Sequence, residues 1–217
     1  GAPVITEKTL SVIDLITSGG IGGNLVMGAL GILSIFAIYI LIERFSAIKK
    51  ASKEDENFLK SIQNFVEAKD IEAAKTLCRN TDSPISRMIE KGVNRINKPM
   101  TDISAAIENQ GKLEVFKMEN NLANLATISG AAPMIGFLGT VIGMIVAFHE
   151  MASAGGNIDV EMLSKGIYTA MTTTVAGLIV GIIAFIAYNY LVSKVDKVVF
   201  MLEAKTTEFL DLLHHNE

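Results

Sequence analysis

Residues 120–149 read NNLANLATISGAAPMIGFLGTVIGMIVAFH, a stretch without a single Asp, Glu, Lys or Arg and with His149 as its one titratable side chain. A bilayer core about 30 Å thick is crossed by roughly 20 apolar residues of helix, so this stretch is long enough to span a membrane. Residues 15–42 and 166–193 are equally free of charged side chains. The apolar centres of the three stretches run Leu25–Ile42, Ala126–Phe148 and Ile167–Val192. Over all 217 residues, 50% are hydrophobic and 19% charged, where a soluble domain carries about 25% charged. The deficit is concentrated in three segments of spanning length, which excludes both an ordinary soluble globular fold and disorder.

The expected fold is therefore all-α, a three-span integral membrane protein whose long helices extend into the cytoplasm. The layout reads as an N-terminal segment over 1–23, transmembrane helices over 24–44, 125–150 and 161–193, a helical region over 45–124, a turn over 151–160 and a C-terminal helix over 194–217. Orientation follows from the basic residues, which favour the cytoplasmic side. Of the 19 Lys and Arg, 14 lie within 43–124, and Lys194, Lys197 and Lys205 follow the third run. Only Lys8 and Lys165 belong to the other side. The N-terminus and the 151–160 turn are thus expected in the periplasm, and the 45–124 region and the C-terminus in the cytoplasm. The lone Cys78 suits a reducing compartment.

Outward from the spans, the sequence alternates helix and punctuation. TLSVIDLITS (9–18) suits either an interfacial amphipathic helix or a lead-in to the first span, and Gly19, Gly20, Gly22 and Gly23 are expected to break the helix before the crossing. No basic region precedes an apolar one at the start, so no cleavable signal peptide is expected there. Phe58, Ile62, Phe65 and Val66 keep helical spacing, as do Ile71, Ala74 and Cys78. Thr81-Asp82-Ser83-Pro84 reads as a turn and helix start, with Ile85, Met88, Ile89 and Val93 behind it. Asn97-Lys98-Pro99 closes that helix, and Thr101 or Asp102 is expected to cap the next. From Thr101 to His149 no stop signal is read, which predicts one helix of roughly 73 Å at 1.5 Å per residue, kinked at Pro133. Beyond Lys194, Val195, Val198, Leu202, Phe209 and Leu212 form an apolar stripe that needs a partner, as in a bundle or an oligomer.

Inside the spans the informative residues are the small ones. Gly136, Thr140, Gly143 and Ala147 fall on one helix face, and so do Ala170, Thr174, Gly177, Gly181 and Ala184. In lipid, small residues allow close helix approach and hydroxyls bond across helices. The faces therefore serve either plain packing or the lining of a shared pore. Thr169, Thr172, Thr173 and Thr174 within one and a half turns, with Thr140 on the other span, favour a polar lining, although a threonine can also bond its own helix. No carboxylate lies in any span, so a proton pathway would need its acid from a partner. His149 reads as an interfacial residue, and His214 and His215 as solvated tail residues. A net charge of −4 argues against a nucleic-acid partner. No disulfide, metal-ligand cluster, cofactor motif or nucleophile–base set is read, so an enzyme is not expected.

Residues 131–144, AAPMIGFLGTVIGM, resemble the APLLGLLGTVxGM signature of the ExbB/TolQ/MotA proton-channel family. Residues 166–178, GIYTAMTTTVAGL, followed by Ile182 to Asn189, resemble its GIxEALxTTxxGLxxAIPxxxxYN signature, and Asp70–Cys78 with Ser83–Met88 resemble its cytoplasmic helices. The likeness covers about 70–217. It implies a ring-forming homo-oligomer, typically of five chains, with the second and third spans lining a pore. Single-span ExbD- or TolR-like subunits inside it carry a membrane aspartate, and proton flow drives a periplasmic transducer of the TonB or TolA kind. By position, Thr140 and Thr174 match the family's pore threonines, and Thr173 and Thr169 fall beside them. Gly136, Gly143, Ala147, Ala170, Gly177 and Gly181 would form the pore-face packing. Thr169 stands where many members have glutamate, which leaves titration to the partner and leaves sodium open beside the proton. The frequent proline is missing at 184–186. The resemblance implies a bacterial inner-membrane location among membrane lipids. A non-conducting scaffold is the alternative, and a flagellar-type stator ranks low because such members have four spans.

Overall fold

Among residues 20–52, 56–153 and 160–215, which the computed structural model describes, every regular element is a helix. They are α1 (Gly20–Ala51), α2 (Glu56–Glu67), α3 (Ile71–Asn80), α4 (Pro84–Val93), α5 (Met100–Glu119), α6 (Leu122–Ser153) and α7 (Val160–His215). The expected N-terminal segment up to residue 19 and residues 154–159 of the expected turn lie outside the described residues. Three helical stretches, Gly22–Ala51, Met100–Ser153 and Gly166–His214, are long and apolar enough to cross a membrane. The described residues divide into two compact units, one within 20–40 and 124–188, the other within 41–123 and 189–215.

The first unit turns its large apolar side chains outward. Ile32 and Ile35 of α1, Met134 and Phe137 of α6, and Ile182 and Ile186 of α7 are all exposed. Its interior sets small groups, Ala37 on α1, Ala132 and Ala147 on α6, Ala170, Ala184 and Ala187 on α7, beside a few large ones, Leu30 and Ile40 on α1 and Leu125 and Ile128 on α6. This is the distribution a lipid environment produces, because acyl chains solvate Ile and Phe as well as a protein core does. Of the glycines expected to break the helix, Gly20, Gly22 and Gly23 lie within α1 and do not interrupt it, and Gly19 lies outside the described residues. At Gly22 a Cβ would lie 3.0 Å from Ile142 Cγ2, so that glycine serves close packing instead of a break.

The second unit buries more of its large apolar side chains, although Leu113, Phe116 and Phe200 stay exposed. Ile62, Ile89, Ile107 and Phe209 are essentially fully buried, and α2 packs on α3, α3 on α4, and α4 on α5. A Cβ at Gly92 would come within 2.7 Å of Ile107 Cδ1 and 2.9 Å of Phe209 Cε1, so α4 meets α5 and the end of α7 with no side chain between. Pro84 opens α4 and Ser83 caps it, its hydroxyl accepting from Ser86 N while Ser86 Oγ accepts from Ser83 N. Asp70 caps α3 by accepting from Ala73 N at 3.0 Å.

Three expectations need correction here. The helix read through 101–149 is interrupted: α5 ends at Glu119 and α6 starts at Leu122. Asn121 stands at φ 64, a left-handed conformation that asparagine tolerates better than other side chains, and Asn120 is extended in ψ at 137. Neither Thr101 nor Asp102 caps α5. Pro99, with φ −52 and ψ 145, takes the cap position without a side-chain bond, and its carbonyl accepts from Asp102 N at 2.8 Å and Ile103 N at 3.2 Å. The tail stripe ends on Leu213, buried at four residues from Phe209, in place of the half-buried Leu212.

Candidate functional site

The stripes read from the sequence meet each other along an antiparallel seam between α6 and α7. A Cβ at Gly181 would strike Pro133 Cγ at 2.6 Å; at Gly177, Ala132 O at 2.5 Å; at Gly136, Thr173 O at 2.6 Å; and at Gly143, Ala170 Cβ at 2.7 Å. Contacts that run forward along α6, from Pro133 through Gly136 to Gly143, run backward along α7, from Gly181 through Thr173 to Ala170. The contacts at Gly136 and Gly177 are to backbone, which cannot rotate aside. Two further glycines lie on the seam, Gly166 beyond the sequence reading and Gly139 as the GxxxG partner of Gly143. Gly166 faces Ala147 Cβ at 2.7 Å, and Gly139 faces Thr173 Oγ1 at 2.5 Å. Gly166 lies four residues before Ala170, so extending the stripe by one turn would have found it. Pro133 sits inside α6, with its ring over Gly181.

The threonines divide into two kinds on this seam. Thr173 is buried, and its hydroxyl reaches Ala170 O at 2.7 Å on its own helix and Gly136 O at 3.0 Å on α6. Thr169 is also buried and donates to Gly166 O at 3.0 Å within α7. Thr172 turns back to Tyr168 O at 3.0 Å, the local bond that hydroxyls form in helices. Thr140 and Thr174 differ because they are half-buried and face each other. Their hydroxyls are hydrogen-bonded to one another. Thr140 Oγ1 also lies 3.1 Å from Ala170 O and Thr174 Oγ1 3.2 Å from Gly136 O, so two hydroxyl protons are shared among three contacts. Two hydroxyls and two carbonyls thus form a compact, uncharged oxygen cluster across two helices. It can exchange hydrogen bonds with a proton donor or acceptor, but it holds no group that ionises near neutral pH.

A second polar centre lies in the other unit and was not legible from periodicity. Glu114 on α5 is 2% exposed. It accepts from Arg87 Nε at 3.0 Å and Nη2 at 2.7 Å, from Gln110 Nε2 at 2.8 Å and from Lys117 Nζ at 2.9 Å. Burial by itself pushes the Glu114 carboxyl up, but the bonds from Arg87 and Lys117 outweigh it and hold the carboxyl below its ordinary range. Arg87 is raised, chiefly by its bond to Glu114. Arg87 also reaches Asp82 at 2.8 Å, and Asp82 reaches Lys50 at 2.6 Å. The buried Arg44 of α1 donates to Lys117 O at 2.8 Å and pairs with Glu43, covering a carbonyl of the last turn of α5, which has no partner within the helix. These links tie the end of α1 to α4 and α5.

These features define a class: a helical membrane subunit with three apolar stretches of spanning length, a glycine seam between the last two, and a hydroxyl pair instead of an acid on that seam. The chain belongs to the MotA/TolQ/ExbB proton channel family, whose model matches residues 80–204. It is similar to a biopolymer transport protein ExbB homolog of Methanothermobacter thermautotrophicus, 26% identical over 187 residues, 86% of this chain and 64% of that protein. It is similar to the Tol-Pal system protein TolQ of Pseudomonas aeruginosa, 24% identical over 223 residues, 98% of this chain and 96% of that protein. It is also similar to the biopolymer transport protein ExbB of Aquifex aeolicus, 35% identical over 94 residues, 42% of this chain and 63% of that protein. The chain thus spans slightly less than two thirds of the Methanothermobacter and Aquifex proteins.

Proposed function

We propose that this chain is the ExbB/TolQ-like subunit of a proton-channel motor in the inner membrane, with its N-terminus in the periplasm and its C-terminus in the cytoplasm. Several copies, five in the form the family suggests, enclose a single-span ExbD- or TolR-like partner. The observation that carries the reading is the half-buried Thr140–Thr174 pair, set on a seam with no carboxylate in the charge-free runs 15–42, 120–149 and 166–193. An aspartate on the partner is costly when charged at membrane depth. Beside the hydroxyl pair, or water held there, its charged form is stabilised; elsewhere it stays neutral. Protonation from the periplasm and release to the cytoplasm then bias the partner's position in the ring. That movement energises a TonB- or TolA-type transducer for outer-membrane transport or envelope maintenance. Hydroxyl and carbonyl oxygens also suit sodium, which makes sodium the competing ion.

The buried Thr173 and the glycines take a different role in this reading. Their bonds and contacts lie between α6 and α7 and hold the seam closed, while Thr140 and Thr174 do the work with the ion. The test is energised transport in cells. The Thr140→Val/Thr174→Val pair abolishes it, the Thr140→Ser/Thr174→Ser pair retains it, and the native mass of the purified complex stays the same in both. Unchanged transport in the valine pair favours a scaffold without conduction. A native mass that does not rise when a single-span partner is co-expressed removes the partner from the account.

A further inference from the structure

Just past the apolar runs, the second unit holds a pocket that conduction does not use. It lies between α1 and α7, has a volume of about 250 Å³, and is lined on its polar side by Lys49, Lys194 and Lys197. No acidic residue lines it. Lys50, the next residue along α1, is paired with Asp82 at 2.6 Å. Among the described residues none of the three pocket lysines has a carboxylate within 4.0 Å. Lys194 instead sits over the Tyr190 ring, 5.4 Å from its centroid. Like charges gathered without a counter-charge repel one another, so an anion placed among them is bound favourably.

The walls specify which anion. Ile48 and Leu191 are buried at the base, and Phe45 stacks on Tyr190 with ring centroids 6.3 Å apart. Phe45 and Tyr190 remain half-open to the surroundings. The charge-free stretches end at Ile42 and Ser193, within about two turns of the aromatic rings and the three lysines, which puts the pocket at headgroup depth. Aromatic rings collect at that level, and basic pockets between membrane helices take lipid phosphates there. We propose that this pocket binds the phosphate of an anionic glycerophospholipid, with the glycerol and the first acyl carbons on Phe45 and Tyr190. The site requires only that α1 and α7 cross the bilayer, and it stands apart from the reading of the hydroxyl pair.

The test is native mass spectrometry of the full chain in detergent, offered phosphatidylglycerol and phosphatidylcholine in equal amounts. The wild-type chain retains phosphatidylglycerol in preference. A basic residue near the surface is worth about fivefold in affinity, so Lys197→Gln weakens phosphatidylglycerol binding about fivefold and the Lys49→Gln/Lys194→Gln/Lys197→Gln triple about 100-fold. Lys60→Gln and Lys91→Gln, exposed and away from the pocket, leave it unchanged. Should the triple variant lose its helical circular dichroism, the exposed Lys197→Gln alone carries the test. Equal retention of the two lipids, or a pocket variant that binds like the wild type, overturns the proposal. Displacement of the lipid by millimolar inorganic phosphate overturns the lipid assignment and leaves a site for a soluble anion.

Discussion

The two units of this chain use similar side chains in opposite ways. In the first, most isoleucines and phenylalanines face outward, and α6 and α7 meet at backbone contact through Gly136 and Gly177 and against Ala170 and Pro133 through Gly143 and Gly181. In the second, Ile62, Ile89, Ile107 and Phe209 fill the interior while Phe116 and Phe200 stay exposed, and an ion pair joins Arg87 to the buried Glu114. The difference follows from the solvent. Water drives apolar groups together, so a water-facing unit gains from every buried isoleucine. Lipid gives no such drive, so a membrane unit depends on close van der Waals approach and on hydroxyl bonds between helices. Glycine, destabilising in most helices, becomes the main packing residue where the neighbour is a backbone.

The largest test of this contrast is at the seam. Gly177→Val forces new carbon against Ala132 O, which would lie only 2.5 Å from the added Cβ. The substitution should cost about 3 kcal/mol, the upper part of the usual range for overpacking. Gly28→Ala, where a Cβ meets nothing within 4 Å, should cost nothing. Thermal unfolding of both variants in detergent separates them, and equal stability would break the contrast.

Next in size is Glu114→Gln. Removing one partner of a buried pair costs about 3–5 kcal/mol in general. The Arg87 side chain is 36% exposed, so solvent screening lowers the expectation to about 2 kcal/mol. Because the Glu114 carboxyl is held below its ordinary value in the folded protein, its contribution is complete above the ordinary carboxylate range. It is lost as pH falls through the lowered value. The gap between wild type and Glu114→Gln should therefore be full at pH 7 and close in strong acid, while the seam, which holds no titratable group, should show no such dependence. Cys78 offers a readout: its thiol is buried and pushed up to about 12, by burial first and by Glu90 second, so it should react with thiol reagents only when the second unit opens.

Smaller effects sharpen the division among the threonines. Thr173→Val removes bonds to Gly136 O and Ala170 O and should cost about 1 kcal/mol while leaving conduction intact. The Thr140 and Thr174 variants should do the reverse. Smallest is the linker between α5 and α6. Asn121→Ala should cost about 1 kcal/mol for its left-handed backbone, and Asn121→Gly should cost less than Asn121→Ala.

Much of this was legible in the sequence because it is periodic. The charge-free runs gave the long apolar helices, and the spacing of Gly136, Thr140 and Gly143 placed them on one face. Ser83-Pro84 announced a helix start that a cap and a proline enforce locally. What stayed hidden depends on register or on distance. Periodicity cannot say that Thr140 meets Thr174 while Thr173 turns inward, because that needs the offset between two antiparallel helices. Arg87 and Glu114 are 27 residues apart, with no local pattern to join them. Asn120-Asn121 did carry a signal, a pair of residues suited to a left-handed step, but the apolar run beyond it outweighed it. At Phe209 a helical spacing of three or four fits equally, and only packing chose Leu213 over Leu212.

The most direct measurement is proton uptake into vesicles containing the purified complex with its single-span partner, driven by a pH gradient and followed with a pH-sensitive dye. With Thr140→Val/Thr174→Val the uptake should fall to the level of empty vesicles, and with serine at both positions it should return. Uptake at the wild-type rate in the valine pair would contradict the claim that these two hydroxyls serve the ion.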